Sequence, residues 1–105
     1  MMNIQKMMQQ AQQMQMKLQE MQAKFEDIEV GAEAGAGLVK VRMSCDGKLR
    51  ALDIDPSLLS DKETLEDLVI AAVNNAGKAK DQKIQEETQK VMEELGMPAG
   101  TKLPF

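Results

Sequence analysis

Apolar side chains recur at Ile4, Met7, Ala11, Met14, Leu18, Met21, Phe25 and Ile28, in steps of three and four without a break. A repeat averaging 3.5 residues keeps one stripe of an α-helix turned toward a partner helix. The spacing predicts a helix over 3–29, about 40 Å long at about 1.5 Å per residue, with Asn3 as its N-cap. A rod of this kind seeks a mate, and has little prospect of being a catalytic element. Around the seam the surface is mostly glutamine, Gln12 and Gln13 included, with Lys6, Lys17 and Lys24 among them. Seven of the ten methionines lie between Met1 and Met21, where a flexible thioether gives adaptable packing.

The periodicity then changes from helical to alternating. Val30, Ala32 and Ala34 alternate with Gly31, Glu33 and Gly35, which fits a short strand followed by a Gly35-Ala36-Gly37 turn. Val39, Val41, Met43 and Cys45 alternate with Lys40, Arg42 and Ser44, and Asp46-Gly47 reads as a two-residue type I′ hairpin turn. In that register Met43 faces Arg50, Val41 faces Leu52, Val39 faces Ile54 and Lys40 meets Asp53. Leu49 falls on the wrong side of it, which either a bulge near Arg50 or an interface on the outer face would explain. The glycine-rich loop is followed by neither a helix start nor Lys-Ser/Thr, so it does not read as a phosphate loop.

Asp55-Pro56 ends the strand. Ser60 and Glu63 form a capping box for a second helix over 61–95, about 50 Å long. Its first half presents Leu65, Leu68, Val69, Ala72, Val73 and Ala76 on one face. Beyond Ala76 the charged residues Lys78, Lys80, Asp81, Lys83, Glu86, Glu87 and Lys90 take over, with Glu86 and Lys90 spaced as an i,i+4 pair. Gly96 and Pro98 stop the helix, and 97–105 reads as a loose tail. A compact domain of about 100 residues has a radius of gyration near 13 Å. Rods of about 40 and 50 Å must therefore protrude, the polar second half of the later helix above all.

With 105 residues the chain is a single domain. The lone Cys45 excludes an internal disulfide, and the absence of His makes a Cys/His metal site and His-based acid–base chemistry poor prospects. No cofactor, small-molecule substrate or catalytic residue is expected, and no run of apolar residues reaches membrane-spanning length. The N-terminus has no apolar signal-peptide core, so a cytoplasmic location is expected. The net charge is −4, yet residues 1–25 set Lys6, Lys17 and Lys24 against Glu20 alone, and residues 76–85 set Lys78, Lys80 and Lys83 against Asp81 alone. The two protruding segments are the parts that lean basic, as a phosphate-gripping surface requires. The sheet residues Lys40, Arg42, Lys48 and Arg50 form another candidate patch.

Several stretches together resemble one family. Met7-Met8-Gln9-Gln10-Ala11-Gln12-Gln13-Met14-Gln15, Gly35-Ala36-Gly37-Leu38-Val39-Lys40-Val41, Ile54-Asp55-Pro56-Ser57-Leu58-Leu59, the run from Leu65 to Ala76, Met97-Pro98-Ala99-Gly100 and Lys102-Leu103-Pro104-Phe105 resemble, in order, segments of the YbaB/EbfC family of bacterial nucleoid-associated proteins. The resemblance implies an α+β fold: a long N-terminal helix, a three-stranded antiparallel sheet and a long C-terminal helix. It also implies a tweezer-like homodimer joined through its sheets, non-enzymatic binding of double-stranded DNA by the projecting helices, and a nucleoid role in gene regulation. Asn75 stands where the family often has Asp, and Gly77 where a larger residue is usual.

The expected DNA contacts are accordingly Lys6, Gln12, Gln13, Lys17 and Lys24 from the first helix and Lys78, Lys80 and Lys83 from the second. The competing expectation is a protein–protein adaptor whose Met/Gln-rich N-terminal helix receives a partner helix.

Overall fold

The computed structural model describes residues 3–94 and Gly96. Helix α1 (Ile4–Phe25) begins at Asn3, whose side-chain oxygen accepts from the Gln5 N–H at 3.1 Å, the cap its sequence predicts. It ends at Phe25, earlier than the seam suggests. The Cys45 N–H donates to Ile28 O at 2.8 Å, which draws the chain out of the helix and into the sheet. Ile28 still packs with Met21 and Phe25, so the seam outlives the helix.

Strands β1 (Glu29–Ala34), β2 (Val39–Ser44) and β3 (Leu49–Ile54) form one antiparallel sheet in the order β1-β2-β3. Between β1 and β2, Gly35, Ala36 and Gly37 all have positive φ. A Cβ on Gly35 would meet Leu68 Cδ1 at 2.8 Å, so glycine there serves both the turn and the close approach of a helix. In β2–β3 the expected pairs Val39–Ile54, Lys40–Asp53 and Val41–Leu52 are present.

The hairpin tip differs from expectation. Gly47 N–H donates to Ser44 O and Ser44 N–H to Lys48 O, both at 2.9 Å, giving a loop of Cys45, Asp46 and Gly47 in which Gly47 alone has positive φ. A type I′ turn needs positive φ at both central residues, and Asp46 lacks it. The ladder then slips: Arg42 pairs with Ala51 and Met43 with Leu49, so Arg50 is the extra residue of a bulge. Leu49 thereby returns to the face of Met43 and Val41, which resolves the misfit in the sequence register.

A 3-10 turn (Pro56–Ser60), not foreseen in the sequence, drops Leu58 into the core at 5% exposure. Asp55 caps it by accepting from the Ser57 N–H at 2.9 Å. Helix α2 (Lys62–Glu94) follows without interruption at Gly77. Its cap is Asp61 rather than the expected Ser60. Asp61 accepts from the Thr64 N–H at 3.2 Å and the Thr64 hydroxyl at 2.7 Å, while the Ser60 hydroxyl turns back to Ser57 O. The expected helical residue Leu95, the Pro98 stop and the 97–105 tail lie outside the described residues.

The first half of α2 lies on β1 and β2. Val39, Val41, Met43, Leu58, Ala72 and Ala76 form the main core, bordered by Val30, Ala32 and Ala34 of β1 and by Leu65, Leu68, Val69 and Val73 of α2. Ala72 and Ala76 are wholly buried and one turn apart, so their small side chains let the helix sit close to the sheet. Burying a valine such as Val39 contributes about 1.5–3 kcal/mol. Asn75 Nδ2 donates to Glu33 O at 3.0 Å, a bond that an ionised Asp could not make.

Beyond Ala76, α2 leaves the sheet and pairs antiparallel with α1. Met21, Phe25 and Cys45 form a second buried cluster with Leu18, Ile28, Val30, Ile84 and Val91 around it. The molecule is consequently drawn out, with principal extents of 71 × 22 × 17 Å and a radius of gyration of 19.2 Å. The seam thus finds its mate in α2 of the same chain, but only in its second half. In its first half Ile4 and Met7 remain 72% and 48% exposed, and off the seam Met8 and Met16 are 60% and 61% exposed.

Candidate nucleic-acid interface

The arm is made of two antiparallel helices, and its lysines are set by helical spacing. On α1, Lys6, Gln13, Lys17 and Lys24 follow at steps of seven, four and seven. At 3.6 residues per turn these steps are close to whole turns, so all four lie on one face. Gln12 lies roughly 100° around the helix from Gln13 and stands apart from that stripe. Lys6, Gln12, Gln13 and Lys24 are exposed and Lys17 is half-buried.

On α2 the expected trio does not form one patch. Lys80 and Lys83 lie about 60° apart around the axis, and Lys78 points roughly 140–160° away from both. Lys78 is exposed and makes no ion pair among the described residues, while Lys80 and Lys83 are half-buried. Lys80 Nζ is 3.5 Å from Asp81 Oδ1. Lys83 Nζ lies 3.8 Å from Glu86 Oε2 and 3.6 Å from Glu87 Oε1.

Where the helices meet, they bring together residues from both. Lys17 Nζ reaches Glu94 Oε2 across the interface at 3.6 Å. Lys90 Nζ bonds Glu87 Oε1 at 3.2 Å, in place of the Glu86–Lys90 pair expected from sequence. Lys17, Lys24 and Lys90, with Glu20, Glu87 and Glu94, line a crevice of about 90 Å³ over Met21 and Phe25. That volume is too small for an organic ligand, and its rim is what faces outward. The Glu87 carboxyl is held below the usual range, first by the Lys90 hydrogen bond and then by the charges of Lys90 and Lys83, against some desolvation.

Lys90, Glu87 and Glu94 were missed as site residues. Their signal is present in the sequence: Lys83, Glu87, Lys90 and Glu94 follow at steps of four, three and four. That is a seam of alternating charge on α2 with the same period as the apolar seam of α1. Lys17, Glu20 and Lys24 repeat the pattern on α1. Around the crevice Lys17, Lys24 and Lys90 balance Glu20, Glu87 and Glu94, and Lys83 lies beside them on α2, within 3.6 Å of Glu87.

Of the basic residues of the sheet, Arg42, Lys48 and Arg50 are occupied, while Lys40 makes no ion pair among the described residues. Arg42 Nε donates to Glu29 Oε1 at 3.0 Å, Lys48 pairs with Asp46 at 3.7 Å, and Arg50 Nη2 donates to Glu26 O at 3.4 Å. On the sheet face opposite α2, Gly31 and Ala51 leave a concavity of about 550 Å³ beside Lys40 and Arg42. Cys45 is buried at the base of the arm, and burial pushes its thiol up against the opposing pull of Lys83. Among the described residues no group of three or more acidic or Cys side chains is placed to hold a metal ion, and no helix is long and apolar enough to cross a membrane.

Comparison with known proteins agrees with this architecture. The family model described as "YbaB/EbfC DNA-binding family" matches residues 1–95. Among solved structures, the crystal structure of an uncharacterized protein from Helicobacter pylori is similar over 88% of this chain and 99% of that one, with a TM-score of 0.76 and 25% identity.

Proposed function

This chain belongs to the YbaB/EbfC DNA-binding family, and from that membership we infer that it binds double-stranded DNA as a homodimer, without catalysis, in the nucleoid of the cytoplasm, where it contributes to gene regulation. The observation that carries the reading is the family match itself, which covers both helices of the arm. The arm's geometry supports it. It extends well clear of the sheet and presents Lys6, Gln13, Lys17 and Lys24 along one line, with Lys83 and Lys90 on the neighbouring helix. Contacts of this type grip phosphates and carry no base code, so the expected binding is broad in sequence preference. Lys78, Lys80 and Gln12 stand outside this line and are expected to contribute less.

Two features support pairing of chains through the sheet. Strand β3 is an edge strand with a free backbone ladder. The first half of α2 covers β1 and β2 and leaves Leu49 and Leu52 of β3 each 46% exposed. A second copy laid on β3 would bury them and set two arms side by side.

The test is a mobility shift on duplex DNA at two salt concentrations, with wild type beside a variant in which Lys6, Lys17, Lys24, Lys78, Lys80 and Lys83 are all changed to Glu. Wild type should bind at low salt and weaken as salt rises, with a log–log slope of about −0.9 per phosphate contact. The variant should lose both affinity and slope. Equal binding by both proteins would remove the lysines from the reading, and no wild-type shift at low salt would remove DNA. Sedimentation giving a monomer at micromolar concentration would refute the dimer.

A further inference from the structure

Three of the lysines placed to meet phosphate, Lys17, Lys83 and Lys90, are already engaged by carboxylates of the same arm, while Lys6 and Lys24 make no ion pair among the described residues. Lys17 is held by Glu94 at 3.6 Å across the two helices. Lys83 and Lys90 share one oxygen of Glu87, at 3.6 and 3.2 Å. Glu87 is 22% exposed at its side chain, against 58% for Glu86 and 61% for Glu94, so it is the most sheltered acid of the arm's pairs. A carboxylate and a DNA phosphate are both oxyanions, and they compete for the three N–H donors of one ammonium.

We propose that Glu87 and Glu94 are built-in competitors of the phosphate backbone, occupying Lys17, Lys83 and Lys90 until DNA displaces them and so limiting the affinity of the arm for DNA. The proposal rests on the DNA-binding reading. Each displaced carboxylate must be rehydrated and takes up a cation from solution, which offsets part of the counterion release that drives binding. Exposed pairs of this kind resist disruption by about 1.4- to 5-fold each. Glu87 opposes two lysines and Glu94 one, so Glu87 carries the larger share. The remaining anions on this stretch of α2 act differently. Glu86 holds only Lys83, at 3.8 Å. Glu93, exposed and one residue before Glu94, makes no ion pair among the described residues.

Glu93 supplies the charge-matched control. The full chain and its Glu87→Gln, Glu94→Gln, double and Glu93→Gln variants are titrated against one fluorescent duplex by anisotropy, across a salt series. Thermal melts confirm that each variant is folded. The expected result is tighter binding by about two- to five-fold for Glu87→Gln and by less for Glu94→Gln. Their gains should multiply in the double variant, with a steeper salt slope, while Glu93→Gln changes affinity by less than about two-fold. A gain from Glu93→Gln equal to that from Glu87→Gln reduces the effect to net charge and overturns the proposal, as does no gain from either paired variant. Failure of wild type and every variant to bind the duplex overturns the DNA-binding reading along with it.

Discussion

Phe25→Ala is expected to release α1 from the molecule while leaving the sheet and the first half of α2 intact. Phe25 is 8% exposed and shares its cluster with Met21 and Cys45, separate from the core of Val39, Val41, Met43, Leu58, Ala72 and Ala76. Truncating a buried Phe costs about 3–5 kcal/mol. Little else is in place to absorb that loss. The remaining ties of α1 include Met21 and Leu18 in the same cluster, which lose their neighbour with Phe25, the exposed Lys17–Glu94 pair, and the Arg50–Glu26 hydrogen bond just past its end, and the first half of its seam is uncovered. A free 22-residue helix rich in Gln and Met is marginal in water. Native-state hydrogen exchange separates the two regions. Protection of α1 amides from Gln10 to Lys24 should fall by about 10²- to 10⁴-fold or to the level of a free helix, at about 1.4 kcal/mol per tenfold. Protection at Val39 and Val41 should change by less than about tenfold. An equal loss in both regions would show one cooperative unit and refute the division into two clusters. Undiminished protection of α1 would show that something other than this cluster holds it.

Gly77 sits within α2 with open space where a Cβ would stand, so Gly77→Ala should raise stability by up to about 1 kcal/mol, read as a later urea midpoint at unchanged slope. Gly35→Ala should destabilise by about 1–2 kcal/mol from its positive φ, with more from the approach of Leu68; a neutral result would contradict the turn geometry. The carboxyls of Asp46, Asp55, Asp61 and Glu87 are held below their ordinary values, chiefly by hydrogen bonds from Ser44, Ser57, Thr64 and Lys90. The unfolded chain therefore binds more protons than the folded one below the ordinary carboxyl values of 3.8 and 4.5. Their stabilising contribution is complete above that window and is lost as pH falls through it, so melting temperature should hold from neutral pH to about pH 5 and drop below it. Cys45 should resist thiol reagents in the native protein and react on unfolding.

Much of the fold could be read from periodicity. The Asn3 cap, the α1 seam, the sheet-facing stripe of α2 and three cross-strand pairs all follow from spacing, because burial enforces a period of two or 3.5 over several residues. What escaped depends on one residue or on geometry between distant parts. Whether Ser60 or Asp61 caps α2 is a choice between adjacent oxygens, and it is settled by the 3-10 turn that precedes them. The hairpin loop grew from two residues to three because Arg50 takes the bulge and lets Leu49 rejoin Met43. The pairing of α1 with its own α2 was open in the sequence, since a seam states that a partner exists and leaves its origin unstated. Lys6, Gln13, Lys17 and Lys24 could be placed on one face from their numbers alone. The neutralisation of Lys17 by Glu94 lay hidden because those residues are far apart along the chain and meet only once the helices align.

Helix α2 passes from the core into the arm with no loop between, 33 residues and about 50 Å in one piece. The arm is thus a cantilever clamped at its root by the sheet, and its heading is fixed where Ala72 and Ala76 seat. In a paired molecule the spacing of two such beams is a gauge set at the base. Matching it to an object held at the tips demands elastic flexure of the whole beam, so objects of the wrong diameter meet a restoring force instead of an adjusting joint.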